Sequence, residues 1–163
     1  MTDPHGVVDP QRAQAPLEQW VGATEQRQDL VTAAPCLALA DTLDRDLGTF
    51  PPGTPLPPLW HWLYFLPRAR QSELGRDGHP RRGGFLPPVP LPRRMWAGGR
   101  LSWAPDHPLV VGATAERTST VRSIARKDGR SGPLVFVEVE HAIRRDGRAV
   151  LTEMHDIVYR EPP

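Results

Sequence analysis

Two Asp-Gly dipeptides, Asp128-Gly129 and Asp146-Gly147, divide the last third of this 163-residue chain into three segments that can hardly be anything but consecutive antiparallel strands. Asp-Gly supplies the positive backbone φ that a tight hairpin turn requires, and apolar alternation flanks both copies. The pattern predicts strands over 109–126, 134–144 and 149–159, with turns at 127–130 and 145–148. In the middle strand Val135, Val137, Val139 and Ile143 share one face, interrupted by His141, while Phe136, Glu138 and Glu140 share the other. In the last strand Leu151, Ile157 and Tyr159 alternate into the same face as Glu153 and His155. Polar groups on an apolar face require partners or water, so an interface or a wet pocket is expected there, with a solvated sheet edge as the alternative.

Only one helix is legible. Cys36, Leu39, Ala40, Leu43 and Leu47 form a single apolar stripe over 35–47, with Pro35 suited to the first turn, Thr32 a possible cap and Gly48 placed to stop it. Three turns are too few to stand alone, so this helix needs a sheet to lie on, and Cys36 is expected in the core. Upstream, Trp20 and Val21 are the expected anchors of a short helical turn near Pro16, followed by an extended run over 24–31. Residues 1–15 read as a loose polar tail, leaving one domain over 16–163. The aromatic run Leu59-Trp60-His61-Trp62-Leu63-Tyr64-Phe65-Leu66, bracketed by Pro58 and Pro67, reads as a strand.

The fold class is therefore α+β, one short helix on four or five mostly antiparallel strands. A single helix covers one face of such a sheet. The rest is bare, covered by a loop, or paired with another subunit. A long segment, 81–103, has no helical or alternating period and carries four prolines, four glycines, two tryptophans and five arginines. It reads as a loop strapped across the sheet, lining a pocket or an interface.

Function classes narrow by exclusion. Net charge is +1, and although residues 60–103 hold eight arginines against two acidic residues, no global field points to nucleic acid. The lone Cys36 excludes an intrachain disulfide, and no Cys/His spacing resembles a metal site. No run approaches membrane-spanning length and the start has no basic-apolar signal, so a cytoplasmic protein is expected. No phosphate-loop, dinucleotide or serine-elbow motif is present. His155 and Asp156 are adjacent on a strand and face opposite ways, so they form no dyad by adjacency. Asp106-His107 precede Pro108 in a turn and are expected to face solvent.

The segments PPLWHWLYFLP (57–67), QSELGRDGHPRRGGFLPPVPLPRRMWAGGRLSW (71–103), KDGRSGPLVFVEVEH (127–141) and HDIVYRE (155–161) resemble the N-terminal half of the MaoC-like hydratases. Within that family they resemble most the mesaconyl-C4-CoA hydratase group, whose N-terminal half is a fatty-acid-synthase-type dehydratase domain. The resemblance implies a hot-dog fold, a curved antiparallel sheet around a central helix. It implies hydration or dehydration of enoyl thioesters of coenzyme A or an acyl carrier protein, with the acyl-CoA as substrate and no cofactor or metal. In the family an Asp/His pair just before the helix of the second hot-dog unit activates water. The matching place here, 29–35, has Asp29 but no histidine, and the chain stops at Pro163 where the relatives continue. The expectation is a substrate-binding half that works as a homodimer or as a heterodimer with a catalytic MaoC-like hot-dog subunit. A homodimer that binds thioesters without turnover, or one that hydrates by itself, are the alternatives. By resemblance, Trp60, Trp62, Phe65, Phe85, Met95, Trp96, Gly98 and Gly99 would shape the acyl pocket and seam. Arg81, Arg82, Arg93, Arg94 and Arg100 would meet CoA phosphates. His61, His141, His155 and Asp29 are the local acid/base candidates.

Overall fold

A computed structural model describes residues 15–75, 78–81, 84–130 and 132–162. The expected tail over 1–15 lies almost wholly outside the described residues, as do Arg82, Gly83 and Asp77. Five antiparallel strands form one sheet in the order β1-β3-β4-β5-β2: β1 Thr24–Leu30, β2 Arg93–Trp103, β3 Thr114–Gly129, β4 Gly132–Arg145 and β5 Arg148–Arg160. The one α-helix among the described residues, α1, spans Ala33–Thr42. The closing meander is thus as expected, with longer strands. Asp146 and Gly147, at φ 52° and 73°, make the β4–β5 hairpin turn. Asp128-Gly129 does not turn but remains in the ladder, Gly129 opposite Gly132, so the first hairpin is tighter than the dipeptide indicated.

α1 ends five residues before the apolar stripe does. Asp44 adopts the left-handed conformation, φ 51°, and the Asp44 and Arg45 N–H groups bond back to the Asp41 and Ala40 carbonyls at 3.1 and 2.9 Å. That double closure is the usual helix stop, here built on Asp rather than on Gly48. Leu43 and Leu47 are consequently exposed. Cys36 and Ala40 face the sheet and pack with Val31, Ala115, Ile143 and Leu151. Thr32 stands at the N-cap without a side-chain cap bond. Trp20 is wholly buried as expected, but Val21 is 47% exposed because the turn at Leu17–Trp20 releases it to solvent.

The aromatic run is not a strand. Pro57 and Pro58 lead into Leu59 at φ 73°, and Trp60–Leu63 forms a 3-10 turn whose Trp60, Trp62 and Tyr64 amides bond to carbonyls three residues back. An apolar run of this length has no periodicity to separate strand from tight helix. The 81–103 segment is corrected in the opposite sense: its last eleven residues are the edge strand β2. A bulge between Trp96 and Gly98 resets the alternation, which hides the strand in the sequence.

Candidate functional site

Directly opposed residues in an antiparallel ladder share a face. The register therefore fixes one face of the sheet: Glu25, Arg27 and Asp29 on β1, Arg117, Ser119 and Val121 on β3, Val139, His141 and Ile143 on β4, Leu151, Glu153 and His155 on β5. α1 and the 60–63 turn pack on this face. It is apolar at both ends, around Ala115, Ile143 and Leu151 on the helix side and around Val121, Val137, Val139, Ile157 and Tyr159 on the other. Between the two lies a polar belt.

The belt is knitted together. His61, carried by the 3-10 turn, is buried with its Nε2 3.1 Å from Glu153 Oε2. Trp62 Nε1 donates to the same carboxylate at 3.1 Å. His141 Nδ1 lies 2.8 Å from Ser119 Oγ, and the His141 and His155 rings are 5.8 Å apart. Asp29 accepts the Phe65 amide at 2.7 Å and the Leu30 amide at 2.9 Å, which fixes Phe65 at φ 58°. The Phe65 ring in turn lies under the Arg117 guanidinium, 5.4 Å from ring centre to Cζ. Tyr64 donates to the Thr32 carbonyl at 2.6 Å and touches Cys36 Sγ at 3.1 Å, which ties the turn to α1.

Burial sets the protonation states. It raises the Glu153 carboxyl, but the hydrogen bonds from His61 and Trp62 outweigh it and hold the group below its ordinary value. His141 is pushed down to about 4, by burial first and by Arg117 next, so it is neutral at pH 7. His155 is lowered by burial, with Glu153 and Asp156 opposing. The Tyr64 hydroxyl is raised by burial and by its contact with Cys36. The belt thus holds two neutral imidazoles beside a firmly ionised carboxylate, a set able to orient water or a polar substrate group.

The belt meets solvent at β2. Gly99 stands opposite His155 and Leu101 opposite Glu153, so Gly99 itself sets no side chain against the imidazole. A Cβ there would meet the Met154 carbonyl at 3.1 Å and the Trp96 indole at 3.6 Å, so the indole lies across the glycine. Trp96 is 67% exposed, and Met95, Trp62 and Trp103 are about half exposed. Among the described residues no strand pairs with the outer edge of β2.

The expected pocket residues divide. Trp62, Trp96 and Gly99 gather at this edge, whereas Met95 and Gly98 project on its other face, Gly98 against Asp156. Trp60 and Phe65 are core, Trp60 stacked on Phe50 at 5.9 Å, and Phe85 packs on the second apolar cluster. The arginines are dispersed. Arg81 is exposed in the preceding loop, Arg93 and Arg94 open β2 on opposite faces, and Arg100 is held by Glu138 at 2.9 Å and Asp156 at 3.2 Å. Arg82 lies outside the described residues. His107 is not solvent-facing: it is buried, its Nε2 3.0 Å from the Arg145 carbonyl and its Nδ1 accepting from Arg145 Nη2 at 3.0 Å. Arg117 and Ser119 escaped the sequence reading. Their signal was the alternation Ala115, Arg117, Ser119, Val121, which puts a charge on a buried face.

Comparisons with known proteins agree with this architecture. Residues 59–163 match the hydroxyacyl-thioester dehydratase type 2 family, Htd2. The chain is 52% identical over 143 residues to the mesaconyl-C4-CoA hydratase of Chloroflexus aurantiacus, covering 88% of this chain and 50% of that protein. It therefore spans about half the length of that relative. Among solved structures, the ChsH1-ChsH2 complex of Mycobacterium tuberculosis superposes with a TM-score of 0.63 at 12% identity, covering 94% of this chain and 92% of the other. The HadBC (3R-hydroxyacyl-ACP dehydratase) complex of the same organism superposes at 0.51, also at 12% identity, covering 89% and 98%. Among the described residues no helix is long and apolar enough to cross a membrane. On the strength of the family match and the sheet wrapped on a single helix, the chain belongs to the hydroxyacyl-thioester dehydratase type 2 family and has the hot-dog fold.

Proposed function

We propose that this chain is the substrate-binding hot-dog unit of an enoyl-thioester hydratase/dehydratase. It pairs along β2 with a second hot-dog unit that supplies the acid/base groups. The observation that carries the reading is the unpaired eleven-residue edge of β2, with Trp62, Trp96 and Trp103 exposed beside it. A long edge with open hydrogen-bonding groups and apolar side chains is a template for another strand. The two superposed structures are of complexes, ChsH1-ChsH2 and HadBC, and the Chloroflexus relative is twice as long as the matched region, which is consistent with a second unit.

Hydration of a conjugated thioester needs a base for the water that attacks the β-carbon and an acid for the α-carbon. In this chain the buried histidines are committed: His61 to Glu153, and His141 to Ser119. The belt is therefore read as the wall of the acyl site, with Trp96 and Gly99 at its mouth. Arg94, on the inner face at the start of the same strand, is the arginine best placed for CoA phosphates. A second reading, a self-sufficient homodimer, rests on His155, the half-buried imidazole facing Gly99.

The pairing is tested by sedimentation of the purified chain and of Trp96→Arg. Lacking its partner, the wild-type chain is expected to pair with itself through β2, and the variant to sediment as a monomer. A wild-type monomer at micromolar to millimolar concentration would remove the basis of the proposal.

A further inference from the structure

The outer face of the sheet, turned away from α1 and the belt, is banded by the strand register. Lys127, Leu134, Arg160 and Arg93 stand opposite one another across β3, β4, β5 and β2 and form one row. Ala125, Phe136, Val158 and Met95 form the next, so an apolar row runs beside a basic one. The Lys127 ammonium lies 5.0 Å from the centre of the Phe136 ring, which places both rows on the same face. Phe136, Val158 and Met95 belong to neither apolar core, and Met95 is 46% exposed. Arg93 faces Arg160 directly, a like-charge arrangement that destabilises a ladder. Arg93 and Lys127 are exposed, and among the described residues neither enters an ion pair. Glu138 and Asp156 lie beyond the apolar row and are already bridged by Arg100, while Glu140, further on, holds Arg122. Net positive charge is left at this end of the face, with apolar side chains along one side of it.

We propose that this end of the outer face docks an acidic amphipathic helix of a partner protein. The apolar stripe of that helix rests on Met95, Val158 and Phe136, and its carboxylates lie along the row from Lys127 to Arg93. An amphipathic helix presents an apolar stripe beside a charged one. Here the two rows are separated by two residues along each strand, about 6.6 Å, which suits neighbouring stripes of one helix. Crossing the four strands takes about 14 Å, the length of about ten helical residues. A nucleic-acid backbone fits less well, because the apolar row and then Glu138 and Asp156 border the cations. A second copy of the same face would set one surplus of cations against another. None of these residues faces the belt, so the docking is independent of the thioester reading.

Fluorescence anisotropy of labelled synthetic peptides, titrated with the full chain, tests the proposal. One peptide of about fifteen residues, long enough to hold a helix, carries leucine on one stripe and glutamate on the next. The other has the same composition with the stripes scrambled. The striped peptide is expected to bind about tenfold tighter than the scrambled one, and to weaken in high salt. Met95→Glu and Arg93→Glu, both at exposed positions, should each remove that preference. Equal binding of the two peptides, binding of neither, or a preference that survives both substitutions overturns the assignment. Binding to phosphatidylglycerol vesicles in place of the striped peptide overturns it as well and makes the face a contact for anionic lipid.

Discussion

Glu140 and Glu153 sit on neighbouring strands of one sheet, one on each face, and they show how differently the same side chain is used. Glu140 meets Arg122 at 2.6 Å on the outer face, where the arginine side chain is half exposed. Arg100 bridges Glu138 and Asp156 on the same face in the same way. Glu153 is buried and accepts from an imidazole and an indole brought in by the 60–63 turn. The outer pairs are solvated and screened, so they contribute little. The inner carboxylate was removed from water, and its partners must repay that cost. The same side chain is therefore expected to be costly to truncate in the belt and cheap to truncate on the outer face.

The comparison breaks most readily at Glu153. Glu153→Ala strands the buried His61 without its acceptor and frees the half-exposed Trp62 indole, and a loss of about 3–5 kcal/mol in denaturant unfolding is expected. Loss of under 1 kcal/mol would mean the belt is as solvated as the outer face.

Acid comes next. The folded-state pKa of His141 is about 4, against 6.5 for a free imidazole, so between these values the unfolded chain binds more protons. Stability is then fully present above pH 6.5 and declines as pH falls towards 4, by about 3 kcal/mol from this residue. His155, shifted the same way, adds to the decline. Glu153, lowered below its ordinary value, extends the loss as pH falls below about 4.5. His141→Gln, able to keep the Ser119 contact, should flatten the upper part of a melting-temperature profile, whereas Glu140→Gln on the outer face should leave it unchanged.

Smaller effects lie at the mouth of the belt. Gly99→Ala drives a methyl to 3.1 Å from the Met154 carbonyl, and since that oxygen belongs to the paired strand β5, β2 must shift. A loss of about 1–2 kcal/mol is expected in thermal unfolding. Smallest of all should be the stability loss in Arg122→Ala on the outer face, and it should shrink further in high salt. A loss matching that of Glu153→Ala would erase the contrast between the two faces.

Much of this architecture was legible because local signals agreed with the tertiary outcome. Asp146-Gly147, the alternation through β4 and β5 and the buried face of α1 all point one way, and Glu153 and His155 already stood out as polar residues facing inward. The remainder was hidden for physical reasons. The bulge at Ala97 shifts the inward set from Arg94 and Trp96 to Gly99, Leu101 and Trp103, so β2 has no single period and its loop-like composition prevailed. The 59–66 run is aromatic enough for a strand, yet the prolines before it and the left-handed Leu59 close it into a 3-10 turn. That turn decides the site, because it brings His61 and Trp62 to Glu153 across more than ninety residues of sequence. No spacing in the chain announces such a contact.

Turnover tests most directly the proposal that the belt is a wall rather than a catalytic centre. The purified chain alone, mixed with a short enoyl-CoA, should leave the absorbance of the conjugated thioester unchanged over the uncatalysed rate. Absorbance loss well above background, removed by His155→Ala in a variant that stays folded, would contradict the account and place the acid/base site within this chain.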